Sequence, residues 1–274
     1  MTEIGTAHIV DALCAASEGR KRLPFVVGIA GSQGSGKSTL AHEIEVQLRS
    51  RGLRVATLSI DDIYLRRVER ERLAREVHPL LAVRGVPGTH DVALGHAVID
   101  ACGRSEIVDL PRFAKERDDR LPVEQWTRVE GPVDILLFEG WCVGAAPQDD
   151  AELDEPVNAL ERQRDAGGVW RRWVNQRLAT DYAGLFARID WQIFLAAPSF
   201  DVVAGWRREQ EEDLRQRLSA AGTSTEGTMD EAAIDRFVQF YQRITEHMLA
   251  DMPARADLTI LLDPQRRRRL RLSH

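Results

Sequence analysis

Apolar residues follow two periods along the chain. Continuous apolar runs of strand length lie near 25–30, 55–60, 133–138, 191–196 and 258–262, and each ends at a glycine, a proline or an acid. Between them apolar positions recur three and four apart. Leu40, Ile44 and Leu48 mark a helix that Gly52 closes. Val92, Val98 and Ile99 mark a second, with Asp91 as its cap. Trp170, Trp173, Val174, Leu178, Leu185 and Phe186 predict one helix over about 169–188, its tryptophans in the core. A charged helix follows over roughly 200–220. Asp230 then caps a helix carrying Ile234, Phe237, Val238, Tyr241, Ile244 and Met248.

Other stretches are less regular. Ile9, Leu13 and Ala16 give the N-terminal segment a modest apolar face. Leu65, Val68 and Leu73 give helical spacing to a charged stretch that Pro79 interrupts. Residues 106–110 are extended; 84–91, 111–122, 144–168 and 222–231 read as loop or linker. Strands alternating with helices predict an α/β fold: three layers, with a mainly parallel five-stranded sheet and helices on both faces. The expected division is an N-terminal helical extension (1–23), a main domain (24–264) with a lid region at about 199–220, and a basic tail (265–274).

Composition narrows the class. The chain has 274 residues, 43% of them apolar, and a formal net charge of -6, which argues against a general nucleic-acid binder. The arginines 266–269 and Arg271 read as a solvated tail. No apolar run has membrane-spanning length. The N-terminus carries Glu3 and no long apolar block, so it does not read as a secretory signal. Cys14, Cys102 and Cys142 lie far apart with no C-x-x-C, which suits a reducing cytoplasm and no zinc site.

Chemistry enters between the first strand and the first long helix. Gly31, Gly36, Lys37 and Ser38 meet the pattern G-x-x-x-x-G-K-[ST]. Glycines there let successive backbone N–H groups turn inward around an anion, and the helix start adds the positive end of its dipole. Gly31, Ser32, Gln33, Gly34, Ser35, Gly36, Lys37, Ser38 and Thr39 form the expected phosphate loop, the mark of a P-loop nucleoside triphosphate hydrolase or kinase fold. Lys37 would reach the β- and γ-phosphates of ATP, and Ser38 would hold Mg²⁺. Ligands of such sheets bind beyond the carboxyl ends of the strands. Asp61 follows the second strand and Glu139 the third. Asp61 is the candidate general base, with helix capping as its alternative; Asp62 reads as the cap. Glu139 is a candidate Mg²⁺ ligand through water. Arg207 and Arg208 lie where a lid would close on phosphates, and Arg207 is the candidate catalytic cation. Arg112, Lys115 and Arg120 would make a carboxylate-binding loop. His90, in a tight loop, is either an acceptor-site donor or structural.

The chain resembles the D-glycerate 3-kinase family of P-loop kinases, and more widely uridine kinase, pantothenate kinase and phosphoribulokinase. The matching pieces are GSQGSGKSTL (31–40), SIDDIYL (59–65), RGVPGTHD (84–91), LPRFAKERDDRLP (110–122), GPVDILLFEGW (131–141) and WRREQE (206–211). The resemblance implies ATP- and Mg²⁺-dependent phosphorylation of a small hydroxy acid, with 3-phosphoglycerate as product. It puts Asp61 and Tyr64 in the S-x-D-x-x-Y pattern, Glu139 in the E-G-W motif, and His90, Arg112 and Lys115 in acceptor segments. Ile63 stands where the family has an aromatic residue, and Ala114 where it has an aspartate. Kinases of pantothenate, uridine or sugar phosphates, and an ATP-binding switch protein, are the alternatives.

Overall fold

The five apolar runs become neighbouring parallel strands. The computed structural model describes residues 4–19, 22–220 and 228–270, so residues 222–227 of the expected linker, together with Arg271, lie outside the described residues. In chain order the strands are β1 (Phe25–Gly31), β2 (Val55–Ser59), β3 (Ile107–Leu110), β4 (Phe113–Ala114), β5 (Asp119–Arg120), β6 (Thr127–Glu130), β7 (Ile135–Gly140), β8 (Trp191–Ala196), β9 (Leu258–Leu262) and β10 (Arg268–Leu270). The helices are α1 (Thr6–Ser17), α2 (Lys37–Ser50), α3 (Arg67–Glu76), α4 (Val92–Arg104), α5 (Ala159–Arg164), α6 (Val169–Arg177), α7 (Ala183–Phe186), α8 (Phe200–Ala220) and α9 (Glu231–Arg255). None of the described helices is long and apolar enough to cross a membrane.

The main sheet runs β10-β9-β8-β1-β7-β2. Its five predicted strands are parallel, and β10 adds a sixth, antiparallel to β9. That corrects two expectations: among the described residues the sheet has six strands, and Arg268 to Leu270 are an edge strand rather than a solvated tail. Successive side chains of a strand point to opposite faces. Val27 and Ile29 therefore pack with Leu13 of α1, Leu40 and Ile44 of α2 and Trp206 of α8. Val26 and Ala30 pack on the other face with Val98 of α4, Leu185 of α7 and Met248 of α9. Full burial of each such large side chain contributes about 1.5–3 kcal/mol.

Register positions the site. Glu139 of β7 pairs with Ile29 of β1 on one side and Ser59 of β2 on the other. The loops that leave β1, β2 and β7 thus emerge side by side at one edge.

Three local departures bear on that edge. The predicted helix over 169–188 runs without interruption from Val169 to Phe186, widened by a π-type turn at Leu178–Tyr182. In α3 the buried residue is Arg70, while Val68 is exposed. Arg70 is held inside by the carbonyls of Leu65, Ala82 and Asp118. The extended run before Pro111 pairs with Thr127–Glu130 as a hairpin that flanks the loop 111–122.

Candidate active site

The phosphate loop leaves β1 and enters α2 through two glycines in the left-handed region, Gly34 (φ 77) and Gly36 (φ 86). A side chain at 34 would also collide, since an added Cβ would lie 2.7 Å from the Cβ of Trp206. Lys37 Nζ donates to the Ser32 carbonyl at 2.9 Å. Burial lowers the Lys37 pKa, and the charges of Glu139 and Asp61 partly restore it. Ser38 Oγ donates to Glu139 Oε1 at 3.3 Å. Burial raises the pKa of Glu139 against the opposing pull of Lys37.

This donor set fits a polyphosphate. It offers left-handed glycines, the start of α2, an ammonium group, and buried hydroxyls at Ser32 and Ser35 that have no hydrogen-bond partner among the described residues. Ser38 and Glu139 present adjacent hard oxygens. They suit Mg²⁺, which takes few protein ligands and fills its octahedron with water and phosphate.

Asp61 sits in a short 3₁₀ turn (Ile60–Ile63) directly after β2, and the Ser59 side chain caps that turn. Its two carboxylate oxygens have separate partners: Tyr64 OH donates to Oδ1 at 2.8 Å, and Lys115 Nζ to Oδ2 at 2.7 Å. Burial pushes the Asp61 pKa up, but Lys115 and Tyr64 outweigh it and hold the group below its ordinary value. Asp62, expected as a helix cap, instead accepts from the Phe113 backbone N–H (3.1 Å) and from Arg112 (2.6 Å), tying the loop 111–122 to the end of β2.

A cavity of ≈ 1090 Å³ opens at this edge. Of the sequence-predicted residues, Gln33, Lys37, Ser38, Asp61, Tyr64, Lys115, Glu139 and Arg207 line it. Arg207 lies on α8, paired with the buried Glu211 at 2.5 Å and stacked over the Phe237 ring. Arg208 pairs with Asp235 of α9 instead.

Arg112, Arg120 and His90 are not on the cavity wall. Arg112 is spent on Asp62 and Thr127. Arg120 is buried between the Tyr64 carbonyl and Asp91. His90 lies behind Tyr64, their rings stacked at 4.6 Å. Its Nδ1 is 2.6 Å from the Tyr182 hydroxyl, whose oxygen also accepts from the Gly88 N–H. Burial lowers the His90 pKa to about 3, against a raising pull from Asp61, so the ring is neutral.

The wall also carries residues that sequence reading did not single out: Arg84, Asp118, Trp141 and Tyr241. Trp141 and Arg84 fall inside the motifs quoted above. Asp118 falls inside the quoted piece 110–122 as well, and Tyr241 is among the apolar positions of the helix that Asp230 caps.

Phosphate donors and a strand-end aspartate share one cavity, as a P-loop kinase requires, and the full-length relatives below are kinases. Residues 6–64, which span α1 to the Asp61 turn, match the family Methylmalonyl Co-A mutase-associated GTPase MeaB. The chain is 36% identical over 233 residues to the kinase mug58 of Schizosaccharomyces pombe, covering 82% of this chain and 79% of that one. It is 30% identical over 258 residues to the chloroplastic D-glycerate 3-kinase of Arabidopsis thaliana, covering 89% of this chain and 53% of that one, about half its length. The fold matches a solved D-glycerate 3-kinase from Cryptococcus neoformans with a TM-score of 0.75 and 24% identity, over 95% of this chain and 96% of that one. This chain belongs to the P-loop kinases, with D-glycerate 3-kinase among its relatives.

Proposed function

We propose that the protein transfers the γ-phosphoryl group of ATP to a hydroxyl of a small hydroxy acid, D-glycerate before others, in the cytoplasm. The observation that carries this reading is one cavity lined at once by Lys37, Ser38, Glu139 and Asp61. The activity of the Arabidopsis relative, a D-glycerate 3-kinase, supports the acceptor. Three cysteines without disulfides suit the compartment.

Mg²⁺-ATP, when bound, supplies the phosphoryl group and divalent charge. The residues of the chain do the rest. The loop Gly31–Thr39 and Lys37 would hold phosphate oxygens, and Ser38 with Glu139 would hold the cation. Asp61 Oδ accepts the acceptor hydroxyl proton as that oxygen bonds to phosphorus, and the bond to the bridging oxygen breaks to release ADP. Tyr64 orients the Asp61 carboxylate. Arg207 faces the same cavity and would offset charge on the transferred group.

A coupled assay for ADP release across D-glycerate, pantothenate, uridine and ribulose 5-phosphate tests the acceptor. D-glycerate should give the highest kcat/KM; turnover with one of the others alone would replace it. Asp61→Asn should keep ATP affinity while turnover falls by roughly 10²-fold or more. Unchanged turnover in that variant would remove the proton-accepting role.

A further inference from the structure

The cavity wall carries several cations, and most are already committed. Lys37 belongs to the phosphate loop, and Lys115 is hydrogen-bonded to Asp61. Arg70 is fully buried, with its nitrogens spent on three carbonyls and the Asp118 carboxylate. Arg207 shares α8 with its neighbour Trp206, whose Cβ packs against Gly34, so it stands at the nucleotide end.

Arg84 differs from all of these. Its Nη1 donates to Asp118 Oδ1, while its Nε and Nη2 have no protein partner among the described residues. The side chain is 30% exposed, on the cavity wall. Its surroundings come from the acceptor side of the site. The guanidinium lies over the Phe113 ring at 5.5 Å, and Asp118 follows in the same loop.

The arginine is also held rigidly. Asp118 is locked from behind by Arg70, 2.8 Å from its second carboxylate oxygen, and its own backbone is left-handed (φ 53). On the main chain, the Gly85 carbonyl accepts from the Trp141 indole at 2.8 Å, and the Gly85 N–H donates to Thr89 at 3.0 Å. A side chain at Gly85 would meet the Tyr241 hydroxyl at 2.2 Å, so the backbone runs tight against α9. Arg70, Asp118 and Arg84 thus form a braced chain that ends in a planar fork with one edge open to the cavity. A fork held in place by its own partners recognises a carboxylate with little further ordering cost. Asp61 faces the same space, so an acceptor hydroxyl at Asp61 and an acid group at Arg84 would be read together.

We propose that Arg84 binds the acceptor's carboxylate and selects acids over neutral alcohols. This rests on the hydroxy-acid reading above. The test compares D-glycerate with its neutral counterparts glycerol and glyceramide, in the wild type, Arg84→Gln and Arg84→Lys.

The wild type should prefer the acid. Arg84→Gln should lose roughly 10²-fold in kcat/KM for D-glycerate, mainly through KM, as expected for lost charge-assisted hydrogen bonds. Turnover of the neutral alcohols and the KM for ATP should stay within a few-fold, and Arg84→Lys should recover part of the loss. A wild type indifferent to the acid group would overturn the hydroxy-acid reading itself. A wild type that prefers the acid, with Arg84→Gln keeping that preference, would overturn the role of Arg84 alone. Equal losses on acid and neutral acceptors would make Arg84 structural and overturn it as well.

Discussion

At Asp61, burial and a neighbouring cation pull in opposite directions. Burial raises its pKa; Lys115 and the Tyr64 hydroxyl lower it further than burial lifts it. A carboxylate acting as base works only when deprotonated, so this lowered pKa keeps it active towards acid pH. Lys115→Ala removes the larger of the lowering influences and leaves the burial. The Asp61 pKa then rises, and the acid limb of the kcat/KM profile moves to higher pH, while Lys115→Arg keeps it in place. A pH profile with an unmoved acid limb would show that Lys115 does not set the titration. Asp61 and Glu139 were legible in the sequence because each ends an apolar run, and a parallel sheet brings such ends to one edge. The loop cations were not. Arg112 and Arg120 look like Lys115 in sequence, yet they turn to Asp62 and Asp91, carboxylates 50 and 29 residues away.

Among the elements, the phosphate loop and α8 meet at Gly34. Gly34 and Gly36 both hold positive φ, and replacing either costs about 1–3 kcal/mol of backbone strain. Only Gly34 also faces a wall, the Cβ of Trp206. Gly34→Ala should therefore destabilise the protein more than Gly36→Ala, where an added Cβ has nothing within 4 Å. Because the clash pushes α8 from the loop, Gly34→Ala should also raise the KM for ATP by roughly tenfold or more, a scale that corresponds to about 1.4 kcal/mol. Thermal melts and ATP titrations of the two variants check this, and equal melting losses would exclude the Trp206 contact as the cause. The motif made both glycines readable, but the contact with residue 206 depends on tertiary packing that no local pattern carries. The same holds for Leu178–Tyr182. Apolar spacing predicts the helix but not the wide turn inside it, which takes Tyr182 to His90 and Gly88.

Across the whole molecule, the first and last described elements, α1 and β10, close on α2, the helix that carries the phosphate loop. Arg268 of β10 pairs with Glu43 of α2 at 2.6 Å, and Thr6 of α1 donates to the same carboxylate. The Ile4 N–H donates to the Arg268 carbonyl. One turn earlier, Arg266 donates to the Gly34 carbonyl at 2.7 Å, lies over Trp206 and pairs with Glu209 of α8. An arginine run reads as a solvated tail because charge patterns do not record what lies opposite; here β9 offers an unpaired edge and Glu43 a partner. Removing the residues after Pro264 would take away both contacts. Loss of the β10 ladder and its side-chain contacts should cost on the order of 2–3 kcal/mol, or roughly 5 °C in melting temperature. Loss of Arg266 should loosen Gly34 and raise the KM for ATP. Single variants separate the two effects. Arg268→Ala should lower the melting temperature with ATP affinity kept, since a partly exposed ion pair contributes only about 0–1 kcal/mol and touches no phosphate-loop atom. Arg266→Ala should weaken ATP binding with a small change in melting. If Arg266→Ala binds ATP as the wild type does, the brace on Gly34 is structural, and the chain end serves the fold rather than the nucleotide.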